Sequence, residues 1–336
     1  MDQLTLLRRV HEESRPSEAA INEGRAALFA AVESGTSSHP PRAARRRVRI
    51  AGLGALAAGA LTVALVLSNV VGLAGWRGSA DAAAAAVLTD AAHAVARTAD
   101  PVVGAGQFLR VDTTSVGTAF GESVDRVEGD YQYRDHGTLY IPADQSDEWT
   151  WVRYPSTLEA TFGPRSEAVV ANGAFASTGV EVLRAKNAQF YGSRNTFEPN
   201  GWPRDPYRLL NRIYLSTVGT GPSPDGEALV FIADALRDGT VPADLRSAML
   251  EAAAMIPGVT ITDDEATLNG QLGVAIGRFE DGWGSRQEVI VDPVTGLLIG
   301  EREVLVTADP GSEIPVGTVL RWSSISTEVV DEVPAG

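Results

Sequence analysis

Four histidines and no cysteine bound the chemistry available to this chain of 336 residues. Without thiols there is no disulfide framework, thiolate zinc site, lipidated cysteine or cysteine nucleophile. His11 and His39 lie near the N-terminus with no third ligand at metal spacing. His93 falls in an alanine-rich stretch and His136 in a hairpin-like "RDHG"; a general base needs positioned neighbours, and neither has one in view. The acidic clusters Asp144, Asp147, Glu148 and Asp263, Asp264, Glu265 offer oxygens of the kind calcium takes. They lack the Asp-x-Asp-x-Asp-Gly spacing of a looped site, however, and read as solvated loops. No G-x-S-x-G elbow, P-loop or dinucleotide fingerprint occurs. The expectation is therefore a protein that is not an enzyme, with no catalytic, cofactor or metal residue. Trp149, Trp151, Trp202, Trp283 and Trp322 read as core or sheet-face packing, and any ligand groove belongs between sheet and helices.

The elements that must position these residues form an α+β pattern over 79–330. Ser79 to Thr98 predicts a helix capped by Ser79 or Asp81, with Leu88, Ala92 and Val95 on one side. Strands are predicted near Gln107–Val116, Val124–Arg134, Leu139–Ile141 and Trp149–Tyr154, with Tyr131, Tyr133, Trp149 and Trp151 on one sheet face. Three helices follow at Pro206–Thr217, Pro224–Leu236 and Pro242–Met255, each with a proline near its first turn. Gly239 and Gly258 end the last two. The final third returns to strands, at Gly258–Thr262, Leu268–Phe279, Arg286–Val291, Leu297–Val306 and Thr318–Val329. In "VIVDPVTGLLIGERE" Asp292 and Pro293 open a turn and Gly296 supplies a positive φ, which predicts a tight hairpin. Strands, helices and strands again fit a curved antiparallel sheet packed on helices.

Ahead of that domain the sequence divides sharply. Residues 1–49 carry nine Arg against six Asp and Glu, a net of +3; residues 76–336 carry 19 basic against 37 acidic residues, a net of −18. So acidic an outer part argues against direct nucleic-acid binding. Between the two, Ile50 to Gly75 holds no charge, long enough at about 1.5 Å per residue to cross a hydrocarbon core of about 30 Å. We read 48–75 as one transmembrane helix in the lipid bilayer, against two alternatives: a cleaved signal related to the Arg45, Arg46, Arg47 cluster, and a buried core helix. Arg42, Arg45, Arg46, Arg47 and Arg49 precede the run and only Arg77 follows closely. This places the N-terminus in the cytoplasm and the C-terminal domain outside the cell membrane. The spacing of Ala51, Ala55 and Gly59 permits close helix approach. Residues 1–44 form a helical tail and linker. Leu4, Leu6, Leu7 and Val10 make one apolar stripe, Ser17 caps a second helix with Ile21, Leu28 and Val32, and "GTSSHPP" (35–41) is a flexible linker. Helices this short need a partner or each other.

Three segments carry a resemblance: "VPADLRSAMLEAAAMIPGV" (Val241–Val259), "GQLGVAIGR" (Gly270–Arg278) and "VIVDPVTGLLIGERE" (Val289–Glu303). The chain resembles a family of uncharacterised single-pass membrane proteins of high-G+C Gram-positive bacteria, commonly encoded beside extracytoplasmic-function sigma factors. The likeness is loose over the full length and closest over 205–305. It implies an anti-sigma-like regulatory or sensory protein whose cytoplasmic tail meets a sigma factor. The Asp-Pro-x-Thr-Gly hairpin is also similar to one in lipoprotein-carrier and sigma-regulator sensor domains, whose half-barrel sheet holds acyl chains against helices. That similarity implies the alternative, an extracytoplasmic module for a lipid or other apolar ligand with an inert anchor. The chain departs from the best-known anti-sigma factors, which have a larger cytoplasmic helical domain and often a His and Cys zinc motif.

Overall fold

Asp81 starts the first helix of the folded region: its carboxylate accepts the Ala84 amide at 2.7 Å and leaves α1 (Ala82–Ala96) to bury Leu88, Ala92 and Val95. The structure, a computed structural model, describes residues 71, 78–122, 126–177, 179–192, 196–308 and 310–334. The expected tail and, apart from Val71, the expected span of 48–75 lie outside the described residues. Among those described, no helix is long and apolar enough to cross a membrane.

After α1 come β1 (Phe108–Glu122), β2 (Glu128–Pro142), β3 (Glu148–Arg153), β4 (Thr157–Thr161), α2 (Pro164–Ala171) and β5 (Glu181–Lys186). Next are α3 (Pro206–Ser216), α4 (Pro224–Arg237) and α5 (Ala243–Ala253), then β6 (Thr260–Leu268), β7 (Gln271–Glu280), β8 (Ser285–Val291), β9 (Leu298–Leu305) and β10 (Val319–Val330). The fold is mixed α+β, with five helices among the described residues and one large, curved antiparallel sheet. Its order is β5-β3-β2-β1-β10-β9-β8-β7-β6, and β4 pairs with β2.

Of the three middle helices, α3 and α4 open on side-chain caps. Asp205 and Ser223 accept the amides of Arg208 and Gly226, while Pro206 and Pro224 occupy first-turn positions where an N–H would have no partner. With α1 the three helices bury Leu209, Ile213, Leu229, Ile232, Leu245 and Met249 against Ile276 of β7 and Val289 and Val291 of β8. Each such side chain contributes about 1.5–3 kcal/mol on leaving water.

Register then shows what the rest of that sheet face does. Directly paired residues share a face. From the buried pair Ile276 and Val289 the row continues through Glu301 of β9, Ser323 of β10 and Ser115 of β1 to Asp135 of β2. Four residues along the strands, on the same face, Val111 of β1 pairs with Leu139 of β2, Leu139 with Trp151 of β3, and Trp151 with Leu183 of β5. A single face is thus apolar under the helices, polar across β9, β10 and the middle of β1, and apolar again toward β3 and β5.

Two sequence expectations need correction. "RDHG" is no hairpin: β2 runs unbroken through His136 and Gly137. Gly137 stands where a Cβ would come within 3.1 Å of the Trp151 indole nitrogen, so its role is to admit the neighbouring tryptophan. Nor is the Asp263 cluster a solvated loop; it lies within β6, where the pairing with β7 slips at two bulges. The β6–β7 turn is Asn269-Gly270, both residues at positive φ (48° and 81°), as a two-residue hairpin of type I′ requires. By contrast, the expected hairpin at Asp292 forms: the Gly296 amide donates to the Asp292 carbonyl at 2.8 Å, with Gly296 at φ 72°.

Candidate functional site

Where the helical layer stops short of β3 and β5, the sheet face is left as a trough of about 350 Å³. Val111, Leu139, Trp151 and Phe190 make its apolar floor. Trp151 and Phe190 meet edge to face, centroids 5.6 Å apart. Val111 and Phe190 also belong to a small core with Ile141, Trp149 and Ala188. The fully buried Trp149 satisfies its indole N–H on the Gln145 carbonyl at 2.8 Å.

Phe190 reaches the floor through an unusual bend. Asn187 and Ala188 both sit at left-handed φ (52° and 55°), a conformation that costs non-glycine residues roughly 1–2 kcal/mol each. The surroundings hold it: the Asn187 amide donates to the Asp147 carbonyl at 3.0 Å. The first acidic cluster therefore shapes this bend. Asp144 takes hydrogen bonds from the Ser146 hydroxyl and amide, which keep its carboxyl below the usual range, and its carbonyl accepts the Asp147 amide.

The rim is charged and paired. Arg153 lies 5.2 Å over the Trp151 ring and bonds Glu181 at 3.0 Å and the Tyr191 hydroxyl at 3.1 Å. Asp135 accepts from the Ser156 hydroxyl. On the helical side Arg237 and Asp238, at the end of α4, complete the wall, and Asp238 accepts the Phe197 amide. A second, more polar hollow of about 230 Å³ shares Ser115, Asp135 and Arg237 with the first. It adds Gln287, Glu301, Glu303, Arg321 and Ser323.

Arg237 stands between the two hollows. Its Nη2 bonds Asp234 at 2.7 Å, and its Nε approaches Glu301 Oε1 at 3.2 Å without the alignment of a hydrogen bond, so this buried N–H goes unsatisfied. Burial pushes the Glu301 carboxyl above its ordinary range, and the Arg237 charge only partly opposes it. An amphipathic molecule of modest size fits this arrangement: an apolar body on the aromatic floor, a polar end at Asp135 and Arg237.

The residues weighed in the sequence fall elsewhere or play supporting parts. His93 is exposed on α1. His136 is exposed at the trough's edge, stacked on Tyr154 at 4.9 Å, with Nδ1 3.3 Å from the Thr114 hydroxyl. In the second acidic cluster Asp263 pairs with Arg302 at 3.2 Å. Among the described residues no group of three or more His, Asp or Glu is placed to hold a metal ion. Of the tryptophans, Trp151 lines the trough, Trp322 the second hollow, and Trp202 packs on Phe197 and Phe231 under Arg212. Sequence reading missed Phe190, Arg237 and Glu301 as wall residues, although alternation in β9 puts Glu301 on the face of Glu303.

No protein-family model and no curated protein matches the chain. Among solved structures, a DUF1329 family protein from Desulfovibrio piger matches with 10% identity, covering 75% of this chain and 95% of that one, at a TM-score of 0.17. At that score the likeness supports no statement about fold or function.

Proposed function

We propose that this is a membrane-tethered sensory protein whose outer domain binds an amphipathic, apolar-bodied ligand in the trough. The observation that carries the reading is the trough itself: an aromatic and aliphatic floor on an otherwise helix-covered sheet face, with a charged rim and an unsatisfied buried N–H at Arg237. The likeness to half-barrel domains that hold acyl chains is consistent with it. The tether is the span of 48–75, free of charge from Ile50 onward and preceded by an arginine collar, up to Val71, which packs on the folded core; residues 1–44 are the output arm toward a sigma factor. In this reading the protein binds and signals; it is not an enzyme.

Native mass spectrometry of the full chain released from detergent should show a bound amphiphile at one copy per chain. Trp151→Glu, which puts a charge on the floor, should lose it while the chain still melts cooperatively. A parent protein with no bound species, and no saturable quenching of its tryptophan fluorescence by a brominated fatty acid, would sink the binding claim. The output arm is tested separately, by pull-down of the neighbouring sigma factor with residues 1–44. Failure there removes the regulatory half and leaves the binder.

A further inference from the structure

Resting on the tether reading above, we propose that the outward side of α3 lies on the outer surface of the lipid bilayer. Tyr207, Asn211, Leu215 and Val218 recur at intervals of four, four and three, the spacing of one helix stripe that runs just past the end of α3. Leu209, Leu210 and Ile213 turn away from it into the core, and Tyr214 is buried at the stripe's margin. Either side of the half-buried Asn211 the stripe is apolar and open: Tyr207 is 57% exposed, Leu215 60% and Val218 42%.

Chain continuity identifies what covers it. Val71, within the uncharged run, packs on the main core, and its amide donates to Asn211 Oδ1 at 2.9 Å. The uncharged run supplies the residues 50–70 ahead of Val71, and a helical crossing takes about 20 residues. On the tether reading, little chain is then left between the hydrocarbon edge and Val71, and so between that edge and the middle of the stripe. At that distance Tyr207, Leu215 and Val218 meet lipid. Tyrosine suits the headgroup level, and the exposed Arg208 and Arg212 beside the stripe suit lipid phosphates.

The natural absence of cysteine makes the test direct. Single cysteines at Tyr207, Leu215 and, as a control of matching 64% exposure, Phe120 on β1 are labelled with a fluorophore in the full chain. The chain is reconstituted in phosphatidylcholine and phosphatidylglycerol vesicles with or without a lipid spin-labelled near its headgroup. The expected result is several-fold stronger lipid quenching at 207 and 215 than at 120, and the reverse order with aqueous iodide. Equal lipid quenching at all three overturns the proposal. So does protection of 215 from both quenchers, which would mean that protein covers the stripe. Flotation of the same vesicles separates the two claims: a chain that fails to float refutes the tether, whereas a floating chain with iodide-quenched 215 refutes only the lipid contact.

Discussion

Glu301 carries an ionic cost that its own surroundings do not remove. It sits on β9 among Arg237, Gln287 and Ser323, yet burial still holds its carboxyl above the ordinary value of 4.5. A raised carboxyl binds its proton more tightly folded than unfolded, so its contribution to stability falls as pH rises from about that ordinary value through the raised one. Glu301→Gln, a neutral mimic, should therefore gain on the parent across that window, at a rate of at most about 1.4 kcal/mol per pH unit. Paired urea melts at several pH values check it; a gap between parent and variant that stays flat with pH refutes it. Acid concentrates visibly along the chain at Asp144 and Asp263, because the charges there are sequence neighbours. Linear order hid Glu301, Arg237 and Phe190, which converge from β9, α4 and the turn after β5 only once the sheet has formed.

The elements show the same division between local and distant causes. Locally signalled helix starts and one hairpin were legible: Asp81 caps α1, one of the two caps expected there, Pro206 and Pro224 sit in first turns, and Gly296 turns β8 into β9, whereas the Asn269-Gly270 turn falls inside an expected strand. At Gly296 the turn also rests on α1, where a Cβ would run into the Ala91 carbonyl. Gly296→Ala should cost at least about 1 kcal/mol from the left-handed backbone alone, measured as a lowered urea midpoint with unchanged slope. Distant causes were not legible. The short helix α2 has Gly163 at its N-cap and no side chain there to accept its amides. Glu313 supplies one from across the sequence, accepting the Arg165 and Ser166 amides at 3.2 Å each. Burial works against the Glu313 carboxylate, but these bonds prevail and hold it below its usual value. Its help is therefore present above pH 4.5 and is lost as pH falls through the lowered value. Glu313→Ala should speed amide exchange at Arg165 to Glu167 at neutral pH without touching α1; unchanged exchange there would show that the contact is idle. Misreading "RDHG" as a turn has a similar origin, since only Trp151 on the adjacent strand explains Gly137.

At the scale of the whole molecule, order of elements was enough to foresee a curved antiparallel sheet on helices. It did not tell which part of the sheet the helices leave open. Register answers that, and it also divides the molecule energetically. One core joins α1, α3, α4 and α5 to β7 and β8; a second is Val111, Ile141, Trp149, Ala188 and Phe190 at the trough; a third, Ala266, Leu268, Ala275, Ile290 and Ile299, joins β6 to β9. Between the first two, on their shared sheet face, lies the polar row of Glu301, Ser323 and Ser115, which offers few apolar contacts to couple them. Units with little buried apolar surface open at lower free energy than the rest. Hydrogen exchange under native conditions should accordingly show β3 and β5 opening well before β7 and β8. Leu229→Ala, cutting the larger core at a fully buried site, should lower global stability by about 2–5 kcal/mol and bring the slowest amides of β7 and β8 closer to those of β3. A ligand seated on Trp151 and Phe190 acts on the other side of the division. It adds apolar contact where the protein has least, so it should slow exchange in β3 and β5 while leaving β7 and β8 almost unchanged. Uniform slowing through the whole sheet would mean that the two halves open as one, and that occupation of the trough has no softer element to order.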